Sequence, residues 1–110
     1  MEKQKGWKDF DDEVKRYVHF LKKHYHYNPG RWIQMCSNHG VEEATKRIAK
    51  MPDSAGLQWL CLKNLLKLSI EAIVLKEEYR ELWEAEEKRD EVAYRELCRK
   101  KLEALGYKAI

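Results

Sequence analysis

The 110-residue chain predicts an all-α protein: a compact single domain of about five to six helices with a long C-terminal helix. Three observations carry this. Apolar residues recur at steps of three and four along most of the length, apolar–polar alternation never persists long enough for a strand, and no Asn-Gly or Asp-Gly pair offers a tight hairpin turn. With 37% charged residues and a mean hydropathy of -0.80, the outward helix faces should be laced with Lys and Glu around one core. The expected domain spans 1–110, with disorder confined at most to residues 1–6.

The elements follow in order. Trp7, Phe10, Val14, Val18, Leu21 and Tyr25 form one face of a first helix over about 7–26. Asn28-Pro29 supplies an N-cap and a proline at the first helical position, so a short second helix carries Trp32 to Cys36 and stops at Gly40. Val41, Ala44, Ile48 and Met51 continue at helical spacing to Pro52, which cannot extend the ladder. Asp53 or Ser54 can cap a fourth helix through Leu57, Leu60, Cys61 and Leu65. Ser69 is a fresh N-cap, with Glu71 in the following turn where the helix dipole favours it, and that fifth helix is expected to run or bend into Tyr79, Leu82 and Trp83. From Glu84 to Leu105 there is no Gly or Pro, which predicts one long sixth helix capped by Gly106.

The run 56–75 has the length of a membrane span, but Lys63, Asn64, Lys67 and Glu71 would be expensive at a bilayer centre, so it reads as two core helices and no membrane partner is expected. The N-terminus carries no apolar signal region, which points to a cytoplasmic protein. Three scattered cysteines, Cys36, Cys61 and Cys98, do not make a disulfide framework.

Charge is polarised along the chain. Residues 1–50 hold 11 Lys and Arg against 7 Asp and Glu, whereas 77–91 hold 3 against 8. Enzymatic function is not expected: no nucleophile-elbow, Gly-rich phosphate loop or His-Glu-x-x-His motif occurs, and the carboxylates at Glu84, Glu86, Glu87, Asp90 and Glu91 read as a solvated helix face. Cys36 and His39 are the one local nucleophile–base pair, and they also have half of a zinc spacing; His24 and His26 upstream point apart on a helix, so neither a metal nor any other cofactor is expected.

The stronger signal is basic and aromatic. Lys15, Arg16, Lys22, Lys23, His26 and Arg31, with His24 nearby, are interleaved with Tyr17, Tyr25, Tyr27 and Trp32, combining phosphate-pairing charge with rings able to stack on bases. A helix-turn-helix over the third and fourth helices is disfavoured by the long 51–56 connection and by the apolar character of 57–68. The alternative is a protein-interaction or dimerising module that uses Trp83, beside the acidic run 84–91, and the C-terminal helix, with Trp83 and Tyr94 as interface anchors.

Trp32-Ile33-Gln34-Met35, Gly40-Val41-Glu42-Glu43-Ala44, Gly56-Leu57, Leu66-Lys67-Leu68-Ser69-Ile70-Glu71 and Cys98 to Leu102 with Gly106-Tyr107 form an ordered series over about residues 28–107. It resembles an uncharacterised all-helical bacterial domain. Lys67 departs from the acidic residue usual there, and 84–96 is longer than in that pattern. The resemblance implies no catalytic residue; it implies a prokaryotic or phage setting and, by extension, a part in defence or counter-defence. Together the residues lead to the expectation of a small, non-enzymatic helical binding protein whose partner is a nucleic acid or nucleoprotein.

Overall fold

Gly40 has φ 83 and ψ 160, a backbone conformation that L side chains rarely adopt, and it turns the chain between two helical segments. A computed structural model describes residues 4–52 and 55–107. Its elements are α1 (Trp7–Tyr25), α2 (Gly30–Lys50, broken at Gly40), α3 (Ala55–Leu62), a 3-10 turn (Leu66–Leu68), α4 (Ile70–Val74), a second 3-10 turn (Glu77–Tyr79), α5 (Arg80–Asp90) and α6 (Tyr94–Ala104). No strand occurs among the described residues. None of their helices is long and apolar enough to cross a membrane.

Several local signals act as expected. Pro29 stands one position earlier than anticipated, at the cap of α2 rather than inside it, and Lys50 is the last helical residue before Pro52. Ser69 caps α4: its hydroxyl accepts the Ala72 N–H at 3.1 Å. At the end of α6 the Gly106 N–H reaches the Glu103 carbonyl at 2.9 Å and the Tyr107 N–H reaches the Leu102 carbonyl at 2.9 Å, with Gly106 at φ 86. This double closure satisfies carbonyls that the helix end would leave open. The caps expected from Asp53 and Ser54 lie outside the described residues.

Three expectations are corrected. The helix from Ser69 ends at Val74, and Tyr79 and Trp83 belong to separate elements. The single long helix 84–105 is two, because Glu91 takes a left-handed conformation (φ 56) and 91–93 turn the chain. A tertiary arrangement drives that break: Glu87 accepts the Arg95 N–H at 2.9 Å near the start of α6, and the Arg95 guanidinium reaches the Leu75 carbonyl at 3.0 Å. The fourth helix stops at Leu62, short of Leu65, and Asn64 turns the chain at φ 58.

The core has two adjoining parts. One gathers Phe10, Val14, Trp32, Ala44, Ile73, Tyr79, Trp83 and Tyr94, with Phe10, Tyr79 and Trp83 in edge-to-face contact at 5.2 and 5.8 Å from the Phe10 ring. The other gathers Leu21, Leu57, Leu60, Leu65, Leu66, Ala72 and Leu102. Although only five residues long, α4 packs on α1, α2 and α6 and so forms the hub. Segment 4–6 lies against the start of α5: Lys5 N–H donates to the Glu78 carbonyl at 2.8 Å, and the Gln4 side chain bridges the Glu77 carbonyl and the Glu81 N–H at 3.0 and 2.9 Å.

Charged groups penetrate this core in pairs. Glu13, 3% exposed, accepts from the Tyr79 hydroxyl at 2.7 Å and from Lys76, whose ammonium also donates to the Tyr17 hydroxyl at 2.9 Å. Lys101 spans Glu71 at 2.8 Å and the Ile48 carbonyl at 2.7 Å. Lys46 meets both Glu86 and Asp90. The carboxylates of α5 are therefore not a uniformly solvated face, since Glu86 is buried against a lysine of α2.

Candidate nucleic-acid interface

Helix α1 sorts its charge by position. Asp9 accepts the Gly6 N–H at 3.1 Å and, with Asp11 and Asp12, occupies the first turns; Lys22, Lys23 and His24 occupy the last, where the negative end of the helix dipole favours cations. Because Phe10, Val14 and Leu21 are committed to the core, Lys15, Arg16, His19, Lys22 and Lys23 emerge on the opposite, solvent-facing side. At 1.5 Å per residue, the stretch from Lys15 to Lys23 is about 12 Å long.

The six basic residues singled out in the sequence differ in availability. Lys15 is exposed, but its ammonium lies 2.9 Å from Asp11. Arg16, Lys22, Lys23 and Arg31 are all exposed, and among the described residues none has a carboxylate within salt-bridge distance. His26 is exposed at φ 53, where it ends α1; the 26–29 connection brings the first turn of α2, with Arg31, next to that basic end.

The aromatic half of the expected surface is redistributed. Trp32 is 8% exposed and belongs to the core, Tyr17 is half-buried and engaged by Lys76, and Tyr27 stacks on Trp59 at 4.5 Å between ring centroids. Tyr25 remains 40% exposed, as does Phe20, a ring that sequence reasoning passed over. The signal for Phe20 was present: it lies off the apolar face of α1, among Arg16, His19, Lys23 and His24. Tyr25 is braced edge-on by Trp59 at 6.2 Å, and Lys63 stands 5.9 Å from the Trp59 ring centre.

Between α1 and the 65–68 turn runs an open groove lined by Arg16, Phe20 and Tyr25 on one wall and Leu65, Lys67 and Leu68 on the other. At its far end the charges cancel: Lys5 pairs with Glu78 at 3.1 Å, and Lys76 with Glu13. Burial opposes the charged form of Glu13, but hydrogen bonds from Lys76, Tyr79 and Tyr17 outweigh it and hold the carboxyl below its ordinary range. Arg16 and Lys67 are the cations this groove leaves without a carboxylate partner among the described residues.

The proposed protein-interface anchors are overturned. Trp83 is 0% and Tyr94 1% exposed; Trp83 is surrounded by Trp7, Phe10 and Tyr94, and the Tyr94 hydroxyl donates to Asp90 at 2.7 Å. Only Tyr94 belongs to the expected helix 84–105; the turn at 91–93 starts α6 at Tyr94, whose ring lies 5.6 Å from that of Trp83 on α5. The local Cys36–His39 pair offers no activated nucleophile either, since burial pushes the Cys36 thiol up to about 11. Among the described residues no three His, Cys, Asp or Glu side chains gather as a metal site would require. No family model matches the chain, and neither a curated protein nor a solved structure matches it.

Proposed function

We propose that this chain is a small non-enzymatic binding protein whose partner is a nucleic acid, free or within a nucleoprotein, held on the outer face of α1 and the start of α2. The observation that supports this reading is the set Arg16, Lys22, Lys23 and Arg31, four exposed cations without carboxylate partners among the described residues, between the middle of α1 and the first turn of α2. Elsewhere Arg47 pairs with Glu43, Arg80 with Glu77 and Glu84, and Arg99 with Glu96, while the other exposed cations without a carboxylate partner among the described residues, Lys8, Lys50, Lys63, Lys67, Lys88 and Lys100, are dispersed along the chain. Cations concentrated in one region create a positive field that a polyanion neutralises by releasing its own counterions. The protein-partner alternative loses its assigned anchors, because Trp83 and Tyr94 are enclosed by their own chain.

Fluorescence anisotropy with labelled DNA and RNA at low salt tests the reading. Binding should weaken as salt rises, with a log–log slope of roughly -3 to -4 for four phosphate contacts on duplex DNA. Charge reversal at Lys22 and Lys23 should lower affinity at least about tenfold and flatten that slope by about 2. Absence of binding at low salt, or affinity indifferent to salt, would overturn it.

A further inference from the structure

The groove between α1 and the 65–68 turn joins two exposed aromatic rings of α1 to cations on both of its walls that have no carboxylate partner among the described residues. Phe20 and Tyr25 are each 40% exposed on its α1 wall, although most large apolar side chains of the domain are enclosed. Neither ring belongs to the two core clusters: Phe20 tilts against His24 at 4.6 Å and Tyr25 at 6.1 Å, and Tyr25 meets Trp59 edge-on, yet each keeps 40% of its surface open. Arg16 stands one helical turn before Phe20 on the same wall, and Lys67 faces them from the other.

We propose that this groove takes single-stranded nucleic acid, with bases stacked on Phe20 and Tyr25 and backbone phosphates paired to Arg16 and Lys67. The inference rests on the nucleic-acid reading above and specifies its form. Stacking needs a base face that is free, and a duplex keeps those faces inside its own stack; rings alternating with cations match a strand that presents both bases and phosphates. Trp59 holds Tyr25 edge-on at 6.2 Å while stacking on Tyr27, so the ring is braced before any strand arrives and less conformational freedom is lost on binding. Charge fixes the direction in which the strand leaves. Beyond Tyr17 the groove closes on the Lys5–Glu78 and Lys76–Glu13 pairs, which offer no net charge, whereas Lys23 lies two turns beyond Arg16 on α1 and continues the cationic path toward Lys22 and Arg31.

The test compares a labelled oligothymidylate, an abasic strand of equal length and a duplex of equal length, each titrated with the full chain at several salt concentrations. The oligothymidylate should bind tightest. Phe20→Ala and Tyr25→Ala should each weaken it by roughly 5- to 150-fold, the range set by one lost base stack, while leaving its salt slope and the affinity for the abasic strand unchanged. Arg16→Gln and Lys67→Gln should each flatten the slope by about 0.7. Both rings are on the surface, so far-UV circular dichroism of these variants should match the parent. Equal affinity for duplex and single strand, unaffected by Tyr25→Ala but abolished by charge reversal at Lys22 and Lys23, would overturn the groove and leave the outer-face reading standing. Binding of none of the three would overturn both. Displacement of the strand by a lower concentration of an acidic, aromatic peptide would also overturn the groove's assignment to nucleic acid.

Discussion

The ammonium of Lys46 lies 2.6 Å from the Glu86 carboxylate, with Lys46 5% and Glu86 9% exposed. Asp90 approaches the same ammonium at 2.7 Å and receives the Tyr94 hydroxyl at 2.7 Å, so one lysine of α2 ties together α5 and the first residue of α6. Burial opposes the charged lysine, yet hydrogen bonds to Asp90 and Glu86 raise its pKa above the ordinary lysine value.

Removing Lys46 should therefore cost much more than losing a surface pair. Lys46→Met leaves Glu86 buried without its main partner and should destabilise the fold by about 3 kcal/mol, read from urea denaturation. The double variant Lys46→Met/Glu86→Leu should recover much of the loss, because the stranded charge is then gone. A loss below about 1 kcal/mol for the single variant would show that the pair is solvated.

Acid should act through Glu13, Glu86 and Asp90. All three carboxyls are held below their ordinary range: Asp90 mainly by its hydrogen bond from Lys46, and the other two by hydrogen bonds that outweigh burial. A group with a depressed folded-state pKa stabilises the protein fully above its unfolded value, about pH 4, and that stability is lost as pH falls through the lower folded value. Thermal midpoints should hold from about pH 6 upward and fall steeply below about pH 4. Glu13→Gln should lower the plateau and make the acid limb shallower, as followed by circular dichroism melts.

Trp83 provides an optical test of burial. Its emission should be blue-shifted and resistant to iodide, while Trp59, half-buried at the groove side of the molecule, should be quenched. Trp83→Ala should cost about 3–5 kcal/mol. Trp83→Phe should cost distinctly less, since it retains an aromatic ring and removes an indole N–H that has no hydrogen-bond partner in the structure.

Gly40 isolates a backbone effect. A Cβ built there meets nothing within 4 Å, so the φ of 83 alone should make Gly40→Ala destabilising, by about 1–2 kcal/mol in chemical denaturation. Gly40→Asn should cost about as much, because φ 83 with ψ 160 lies outside the left-handed helical region that Asn tolerates; a distinctly smaller loss for Asn would show that the turn can shift toward that region.

Thiol reactivity should follow burial. Desolvation raises Cys36 to about 11 and Cys98 to about 12, so in native protein near pH 8 both should react with iodoacetamide roughly a hundredfold or more slowly than free cysteine. Denaturant should abolish the difference, and mass spectrometry of alkylated peptides distinguishes the sites.

What could be read from sequence was whatever one residue imposes on its own backbone. Gly40, Pro52, Ser69 and Gly106 announced their turns because each restricts or extends the local dihedral choices or supplies a cap. The break at Glu91 was illegible, since it places Arg95 against the Leu75 carbonyl, a partner that only the fold provides. For the same reason Glu86 resembled a solvent-facing charge: a helical wheel shows its angle but not Lys46, the oppositely charged neighbour that makes burial tolerable. On the candidate site, the exposed basic residues of α1 and α2 were visible from periodicity, whereas Lys67 joins them only after a 3-10 turn carries it opposite Phe20 and Tyr25.

The attachment of segment 4–6 to Glu77, Glu78 and Glu81 has a consequence for the order in which the protein is made. Phe10 and Glu13 complete their contacts only with Tyr79 and Trp83, the Glu13–Tyr79 hydrogen bond alone spanning 66 residues. A ribosome that has released α1 through α3 has therefore produced helices without the residues that enclose them. Cooperative closure must wait until α5 and α6 emerge, so the nascent chain carries its aromatic residues uncovered through most of translation, and chaperones have that interval in which to act.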